Sequence, residues 1–242
     1  MSLSPTDSTL LSIVESSTPR SIAEVLAIMN RVDAALPGDD GLKWFNLLYL
    51  KVTQDVQGQP PAGGWQHTVW LNRLDVVFAQ LYFAAISKSL RKSLDVPRAW
   101  RALFDNRSAT GVERIQFALA GMNAHINRDL ALALLQADEE LHLTPTRISP
   151  EHDDFEHVND LLERTLPGAL AFLATGVLGQ LAEESGHIGS LIAMWNVRAA
   201  RDLAWDFAGV LRPMSGIGRL AVVAIQDQTT GALGRQLLRP LS

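Results

Sequence analysis

The sequence predicts an all-α protein: a single-domain bundle of about seven or eight helices around a central buried helix at 111–138. Helix start signals recur along the chain, whereas adjacent alternating runs joined by a hairpin turn do not occur. The segment 111–138 is apolar nearly all the way round, which is typical of a helix inside a bundle. The 242 residues suffice for one large core, so we expect one domain over 1–242, with about 20 N-terminal residues as a loosely attached arm.

Cap residues predict where the helices begin, because Ser, Thr and Asp side chains accept hydrogen bonds from the first helical N–H groups. The signals are Ser21-x-x-Glu24, Asp39-Asp40, Val96-Pro97, Thr110-x-x-Glu113 and Ser149-Pro150-Glu151. The Pro- and Gly-rich segment 59–64 predicts a loop. Together with apolar periodicity, these signals predict a helix that ends near Gly58 and helices over 66–92, 111–138, 150–183 with a kink at Pro167, 187–211 and 216–238.

The polar residues of the central helix are the most informative ones. His125 and Asp129 lie four residues apart and share one face, while Asn123 and Asn127 share roughly the opposite face. A buried polar group without a partner costs about 1–3 kcal/mol. These side chains must therefore meet protein partners, a metal, water or a ligand.

Two other predicted helices also bring charge inward. In 66–92, Asp75 falls on a stripe with apolar neighbours. In 187–211, Arg198 and Asp202 fall on a stripe between Trp195 and Trp205. Charge on three inward faces indicates one buried polar site.

The spacing of His125 and Asp129 allows an imidazole and a carboxylate to hold one divalent metal ion, with Asp154 as a third ligand. Other candidate ligands are His152, Asp153, His157 and His187. Two interpretations without a metal stay open. The histidine is held by a structural carboxylate, with Arg128 and Arg198 neutralising Asp129 and Asp75, or the pair orients a ligand or acts as acid and base.

Composition excludes several classes of function. The net charge of −5 gives no basic field for nucleic acid, and the 21 scattered Lys and Arg residues form no membrane anchor. The absence of cysteine excludes disulfides, zinc–thiolate sites and a thiol nucleophile. We expect no secretory signal and no spanning helix, and hence a cytoplasmic protein. Only 19% of the residues are charged, which favours a homo-oligomer.

These observations predict a small-molecule enzyme, a hydrolase or a lyase/cyclase acting on an apolar molecule. The catalytic residues would be His125, Asp129, Asp75 and Arg198, the last holding an anionic group. The ligand-binding residues would be Asn123, Asn127, Asn159 and Trp195. The alternatives are a module that binds a lipophilic ligand and a structural homo-oligomer with a buried salt-bridge network. Asp153-Asp154 with Asn159-Asp160 also resembles the magnesium-binding segments of isoprenyl-diphosphate enzymes, although a basic diphosphate sensor is missing.

A wider resemblance rests on the run Gly121-Met122-Asn123-Ala124-His125-Ile126-Asn127-Arg128-Asp129-Leu130, with Leu74–Ala79, Asp154-Phe155, Val158-Asn159 and Trp195–Arg198. Over about Trp44 to Leu211, the chain resembles an uncharacterised bacterial family, domain of unknown function 5995. The resemblance implies no activity. It implies one constellation of Asp75, Asn123, His125, Asn127, Asp129, Asp154, Asn159 and Arg198.

Overall fold

The computed structural model describes residues 3–174 and 196–240, and every regular element in those ranges is helical. The elements are α1 (Pro5–Glu15), α2 (Ile22–Ala35), α3 (Gly41–Gly58), α4 (Thr68–Leu90), α5 (Arg98–Phe104), α6 (Arg114–Ala124), a π-turn (His125–Asp129), α7 (Leu130–Leu141), α8 (Pro150–Ala174), α9 (Val197–Leu211) and α10 (Gly216–Leu237). With α6, the π-turn and α7 counted as one helix, these ranges hold nine helices, close to the number predicted. The all-α prediction is confirmed.

Two of the predicted caps begin their helices as expected. The Ser21 hydroxyl accepts from the N–H of Glu24 at 3.3 Å at the start of α2. The Asp40 carboxylate accepts from the N–H of Leu42 at 3.0 Å at the start of α3. Each side chain satisfies a backbone donor that the first helical turn leaves without a partner.

The predicted cap at Thr110 is wrong. Gly111 has a φ of +75°, outside the helical region, so a helix cannot pass through it. The helix begins instead at Arg114, after Glu113, whose N–H donates to Gln116 Oε1 at 2.9 Å. A capping box is therefore present, but it lies three residues later in the chain.

The prediction of one continuous helix over 187–211 is wrong at Asn196. Asn196 is extended, with φ −91° and ψ 97°, and its side-chain oxygen accepts from the N–H of Ala199 at 2.9 Å. An asparagine that caps in this way starts a new helix, here α9 at Val197. Trp195 and His187 lie outside the described residues, as does the predicted part of α8 beyond Ala174.

The helix formed by α6, the π-turn and α7 lies in the centre of the bundle, as predicted. Helices α3, α5, α8 and α10 pack on α6, while α4 and α9 pack on α7. The crossing with α3 is close at Gly121, where an added Cβ would lie 2.3 Å from the ring of Phe45. Only glycine fits this crossing, so a backbone contact fixes how α3 meets the central helix.

Helices α1 and α4 both contribute apolar residues to the core. In α1, Leu10, Ile13 and Val14 are buried in the helix that packs on α2 and α4. Among the described residues only α4 is long and apolar enough to cross a membrane, and 61% of its most apolar window is buried inside the protein. That burial places α4 in the core of the bundle.

Candidate functional site

The polar segment of the central helix forms a π-turn, His125–Asp129. The N–H of Leu130 reaches back five residues to the carbonyl of His125, one residue further than in an α-helix. The Asn127 carbonyl accepts from Gln226 Nε2 of α10 at 2.6 Å. Single π-turns inside α-helices are rare and occur often at functional sites. The segment that the sequence singled out is thus also the irregular part of the helix.

The asparagine face of this segment holds α10 in place. Asn123 is fully buried, and its Nδ2 donates to the carbonyl of Thr230 at 2.9 Å. Asn127 Nδ2 donates in turn to Asn123 Oδ1 at 3.0 Å. These amides bond to the protein itself and hold α10 against the central helix, and their expected role in ligand binding stays a prediction.

Asp129 is fully buried and accepts hydrogen bonds on both oxygens. Trp100 Nε1 donates to Oδ2 at 2.7 Å, and Arg128 donates to Oδ1. Arg128 also contacts Asp227 at 3.1 Å, and Asp227 accepts from the first N–H groups of α5, including that of Ala99 at 3.1 Å. Arg128 neutralises Asp129, as the structural interpretation expects.

His125 lies in an aromatic enclosure beside Asp129. Its ring is 3% exposed and stacks on Phe78 with 3.4 Å between centroids and 5° between planes, and the Tyr49 ring meets it at 4.5 Å. Nδ1 lies 3.4 Å from Asp129 Oδ2, whereas Nε2 has no hydrogen-bond partner among the described residues. Burial lowers the pKa of His125, and Asp129 offsets part of that effect. The neutral ring with its proton on Nδ1 fits this arrangement, because the Asp129 carboxylate only accepts.

A small cavity of about 60 Å³ lies beside His125. At about 30 Å³ for each water of the liquid, it has room for roughly two waters or a group of a few heavy atoms. Among the described residues that line it, the ionisable ones are His125, Tyr49 and Arg201. The apolar walls include Phe45, Leu48, Val52, Phe78, Met122 and Leu162.

Arg201 was not predicted from the sequence. Its side chain is buried, Nε donates to Asn159 Oδ1 at 2.5 Å, and the guanidinium lies 4.2 Å from the centre of the Phe155 ring. Burial lowers the pKa of Arg201 to about 10, although Asp75 acts in the opposite direction. Asn159 Nδ2 is buried and has no partner among the described residues. Asn159 thus holds the Arg201 guanidinium in place.

Arg198, the predicted anion-binding residue, lies on the surface between α9 and α8. It pairs with three carboxylates of α8: Glu163 at 2.9 Å, Glu156 and Asp160. The prediction failed because the supposed helix from 187 put Arg198 on its inner stripe. Once α9 begins at Val197, the buried stripe is Val197, Arg201, Ala204, Trp205 and Ala208, which has helical spacing. Correct placement of the cap at Asn196 would have identified Arg201.

Asp154 does not join His125. Its Oδ1 accepts from the N–H of Gln66 at 2.8 Å and its Oδ2 from the N–H of His67 at 2.7 Å, so it fastens the loop before α4 to α8. Asp153 also contacts Gln66, at 3.1 Å. Both carboxylates that the sequence suggested as magnesium ligands therefore bond to the loop before α4.

No group of three or more His, Asp or Glu side chains is placed to hold a metal ion within 3–174 and 196–240. The predicted set of His125, Asp129 and Asp154 is not assembled, since Asp154 is bound elsewhere and Asp129 is saturated. Of the other candidate ligands, His157 Nδ1 bonds to the carbonyl of Asp153 at 2.8 Å, and the His152 ring packs against Trp205 at 4.7 Å.

Asp75 lines a different cavity, a cleft of about 480 Å³ between the start of α2, the end of α3 and the start of α4. Burial raises its pKa from 3.8 to about 7, and the charge of Arg201 counteracts part of this rise. Its charge also acts on Tyr49, which lines the cavity of His125. The eight residues expected in one constellation thus occupy several separate environments.

Fold and site together define an all-α bundle whose central π-turn brings one histidine to a small apolar cavity. The chain belongs to the family of unknown function DUF5995, whose model matches residues 22–240. No curated protein matches the chain, and no solved structure matches it. Membership extends the resemblance noted above to nearly the whole chain, and it assigns no activity.

Proposed function

We propose that the cavity beside His125 binds a small organic acid and that His125 acts on it as a general base. One observation carries the proposal: a buried imidazole nitrogen without a partner among the described residues lines the same cavity as a buried guanidinium, Arg201. Most buried polar atoms in proteins are bonded, so an exception calls for an explanation. A ligand that meets both groups is such an explanation.

Arg201 would bind the acidic group. Among the described residues its hydrogen bond to Asn159 uses only Nε, so the terminal nitrogens stay available for a carboxylate. Asn159 positions the guanidinium, and the apolar walls strengthen an ion pair by excluding water. The cavity volume of about 60 Å³ favours a short acid, or the acidic end of a longer one.

His125 would accept the proton. With Nδ1–H directed at Asp129, the Nε2 lone pair is directed away from it, and burial keeps the ring neutral near pH 7 by lowering its pKa. A proton taken from the carbon next to a carbonyl group would go to Nε2, and the imidazolium so formed would be stabilised by Asp129. A base placed in this way contributes typically about 10²–10⁴-fold to a rate. Removal of a proton next to a carbonyl group is a step of lyase-type enzymes. In this arrangement Asp129 binds His125 and does not have to bind a metal ion.

Binding is tested with a series of carboxylates from acetate to octanoate, by calorimetry and thermal shift. Wild type is compared with Arg201→Gln and with Arg198→Gln, a matched change three residues earlier on α9 that removes a surface arginine. We expect one chain length to bind best, Arg201→Gln to lose at least about tenfold in affinity, and Arg198→Gln to bind as wild type. Equal binding by all three proteins would contradict the proposal.

Proton transfer is tested separately, with a short α-keto acid in deuterated water. Wild type should exchange the protons next to the carbonyl, as followed by NMR, whereas His125→Gln should exchange them at the rate of buffer. Binding without exchange in wild type would leave only the ligand-binding module. That module is the second candidate, and the many apolar residues around the cavity support it.

A further inference from the structure

The cleft that Asp75 lines is separate from the cavity of His125. Four segments enclose it: Arg20–Ala23, Val56 with Gln57, Pro60 with Trp65, and the first turns of α4 up to Asp75. Its volume of about 480 Å³ lies within the range of small-molecule sites, about 300–1,000 Å³. Trp65, Pro60 and Val56 make much of its wall apolar.

Asp75 differs from the four aspartates that are buried among the described residues. Each of those accepts from an N–H donor, with contacts of 3.0 Å to Asp40, 2.7 Å to Asp129, 2.8 Å to Asp138 and 2.7 Å to Asp154. Within the described ranges, Asp75 makes neither a hydrogen bond nor an ion pair. Asp75 is half-buried, and a carboxylate that loses part of its water without gaining a donor would be stabilised by a cation bound in the cleft.

We propose that this cleft binds a small primary amine with an apolar body, whose ammonium group pairs with the Asp75 carboxylate. Asp75 is the one acidic side chain among the described lining residues. An ammonium ion supplies the three N–H donors that the carboxylate lacks, and Trp65 offers an aromatic wall to the body of the amine or to its charge. The proposal does not depend on the chemistry of His125.

The surrounding charges set how binding responds to pH. Arg20 lines the cleft from the α2 side, Arg201 of α9 acts on Asp75 from the interior, and the charge of Asp75 acts in turn on Tyr49 of α3. Because the pKa of Asp75 is about 7, its carboxyl is mostly protonated at pH 6 and mostly ionised at pH 8. An amine that stays protonated across this range should bind about tenfold more tightly at pH 8 than at pH 6, because the competent form becomes that much more abundant.

Three probes of one shape and different charge test the proposal: phenethylamine, phenethyl alcohol and hydrocinnamate. Binding is measured by calorimetry at both pH values for wild type, for Asp75→Asn and for Asp206→Asn, a control that removes an exposed carboxylate of α9. We expect the amine alone to bind tightly, with the tenfold pH effect, in wild type and in Asp206→Asn. Asp75→Asn should lose at least tenfold at pH 8 and show no pH effect.

Three results would overturn the proposal. One is binding of the alcohol or the acid as tight as that of the amine. Another is unchanged amine binding by Asp75→Asn that has the circular dichroism spectrum of wild type. The third is the absence of saturable binding of phenethylamine to wild type at millimolar concentration. None of these measurements depends on whether His125 binds an acid or transfers a proton. The proposal for the Asp75 cleft can therefore fail while the proposal for His125 holds, and the reverse is also true.

Discussion

Replacement of Asp75 by asparagine should stabilise the protein at neutral and alkaline pH. The folded protein raises the pKa of this carboxyl from 3.8 to about 7, so the folded state binds a proton more tightly than the unfolded state does. The stability that comes from this proton is fully present below about pH 3.8 and is lost as the pH rises through 7. Asparagine has the shape of the protonated acid and stays neutral at every pH, so Asp75→Asn keeps its stability as the pH rises.

The magnitude follows from the size of the pKa change. At 1.36 kcal/mol for each pH unit, an increase from 3.8 to about 7 corresponds to about 4 kcal/mol in the free energy of unfolding. Since Asp75 is partly exposed to the cleft, solvent screening reduces this value, and we expect about 1–3 kcal/mol. Urea unfolding of wild type and Asp75→Asn from pH 4 to pH 8 measures the difference.

The two proteins should have nearly equal stability at pH 4 and diverge as the pH rises to 8. Asp206→Asn, which changes an exposed carboxylate, should follow wild type throughout. A variant less stable than wild type at pH 8, or a difference that does not change with pH, would refute the account of Asp75. Either result would mean that a donor satisfies the carboxylate in solution.

Three further substitutions test the central helix. His125→Phe should leave the free energy of unfolding within about 1 kcal/mol of wild type or raise it, because the removal of a buried nitrogen without a described partner offsets the loss of the Nδ1 hydrogen bond to Asp129, while a structural role predicts a loss of about 3–5 kcal/mol. Asn123→Ala should cost about 2–3 kcal/mol, since it leaves the carbonyl of Thr230 without its donor. Gly121→Ala should cost about 1–3 kcal/mol or more, because its Cβ would clash with Phe45 at 2.3 Å. Chemical denaturation measures all three.

Controls for these substitutions come from the surface of the same protein. Arg198→Gln and Asp206→Asn should each change the stability by less than about 1 kcal/mol, since exposed ion pairs contribute little. A Gly121→Ala protein as stable as wild type would mean that α3 can move away from α6 freely. A loss above 3 kcal/mol for His125→Phe would favour the structural interpretation of the polar segment.

The fold could be predicted because its determinants are local. The caps at Ser21 and Asp40 act within one helical turn, and a helix that is apolar all round must lie inside a bundle whatever surrounds it. The capping box predicted at Thr110 was wrong because Gly111 adopts a positive φ, and the spacing of Thr110 and Glu113 gives no information about that backbone angle. A capping box was thus correctly expected in this segment, but its position was wrong by three residues, Glu113 instead of Thr110.

The site was predictable only in part. His125 and Asp129 do lie together, because residues four apart on one helix are neighbours in any fold. Asp154 depends on contact with a loop 87 or 88 residues away, and no helical pattern contains that information. The identification of Arg201 depends on where one helix begins. Because Asn196 is extended and the helix starts at Val197, Arg201 and not Arg198 faces the interior. The expected homo-oligomer and cytoplasmic location stay predictions.

The protonation state of His125 decides whether this residue can act as a base. Nitrogen NMR at pH 7 reports both ring nitrogens, and His125→Gln identifies the signals that belong to this histidine. We predict a neutral ring with the proton on Nδ1, an unprotonated Nε2, and an Nε2 shift that changes when the preferred carboxylate is added. A ring that is protonated on Nε2 at pH 7, or an imidazolium there, would contradict the account of His125 as a base beside the cavity.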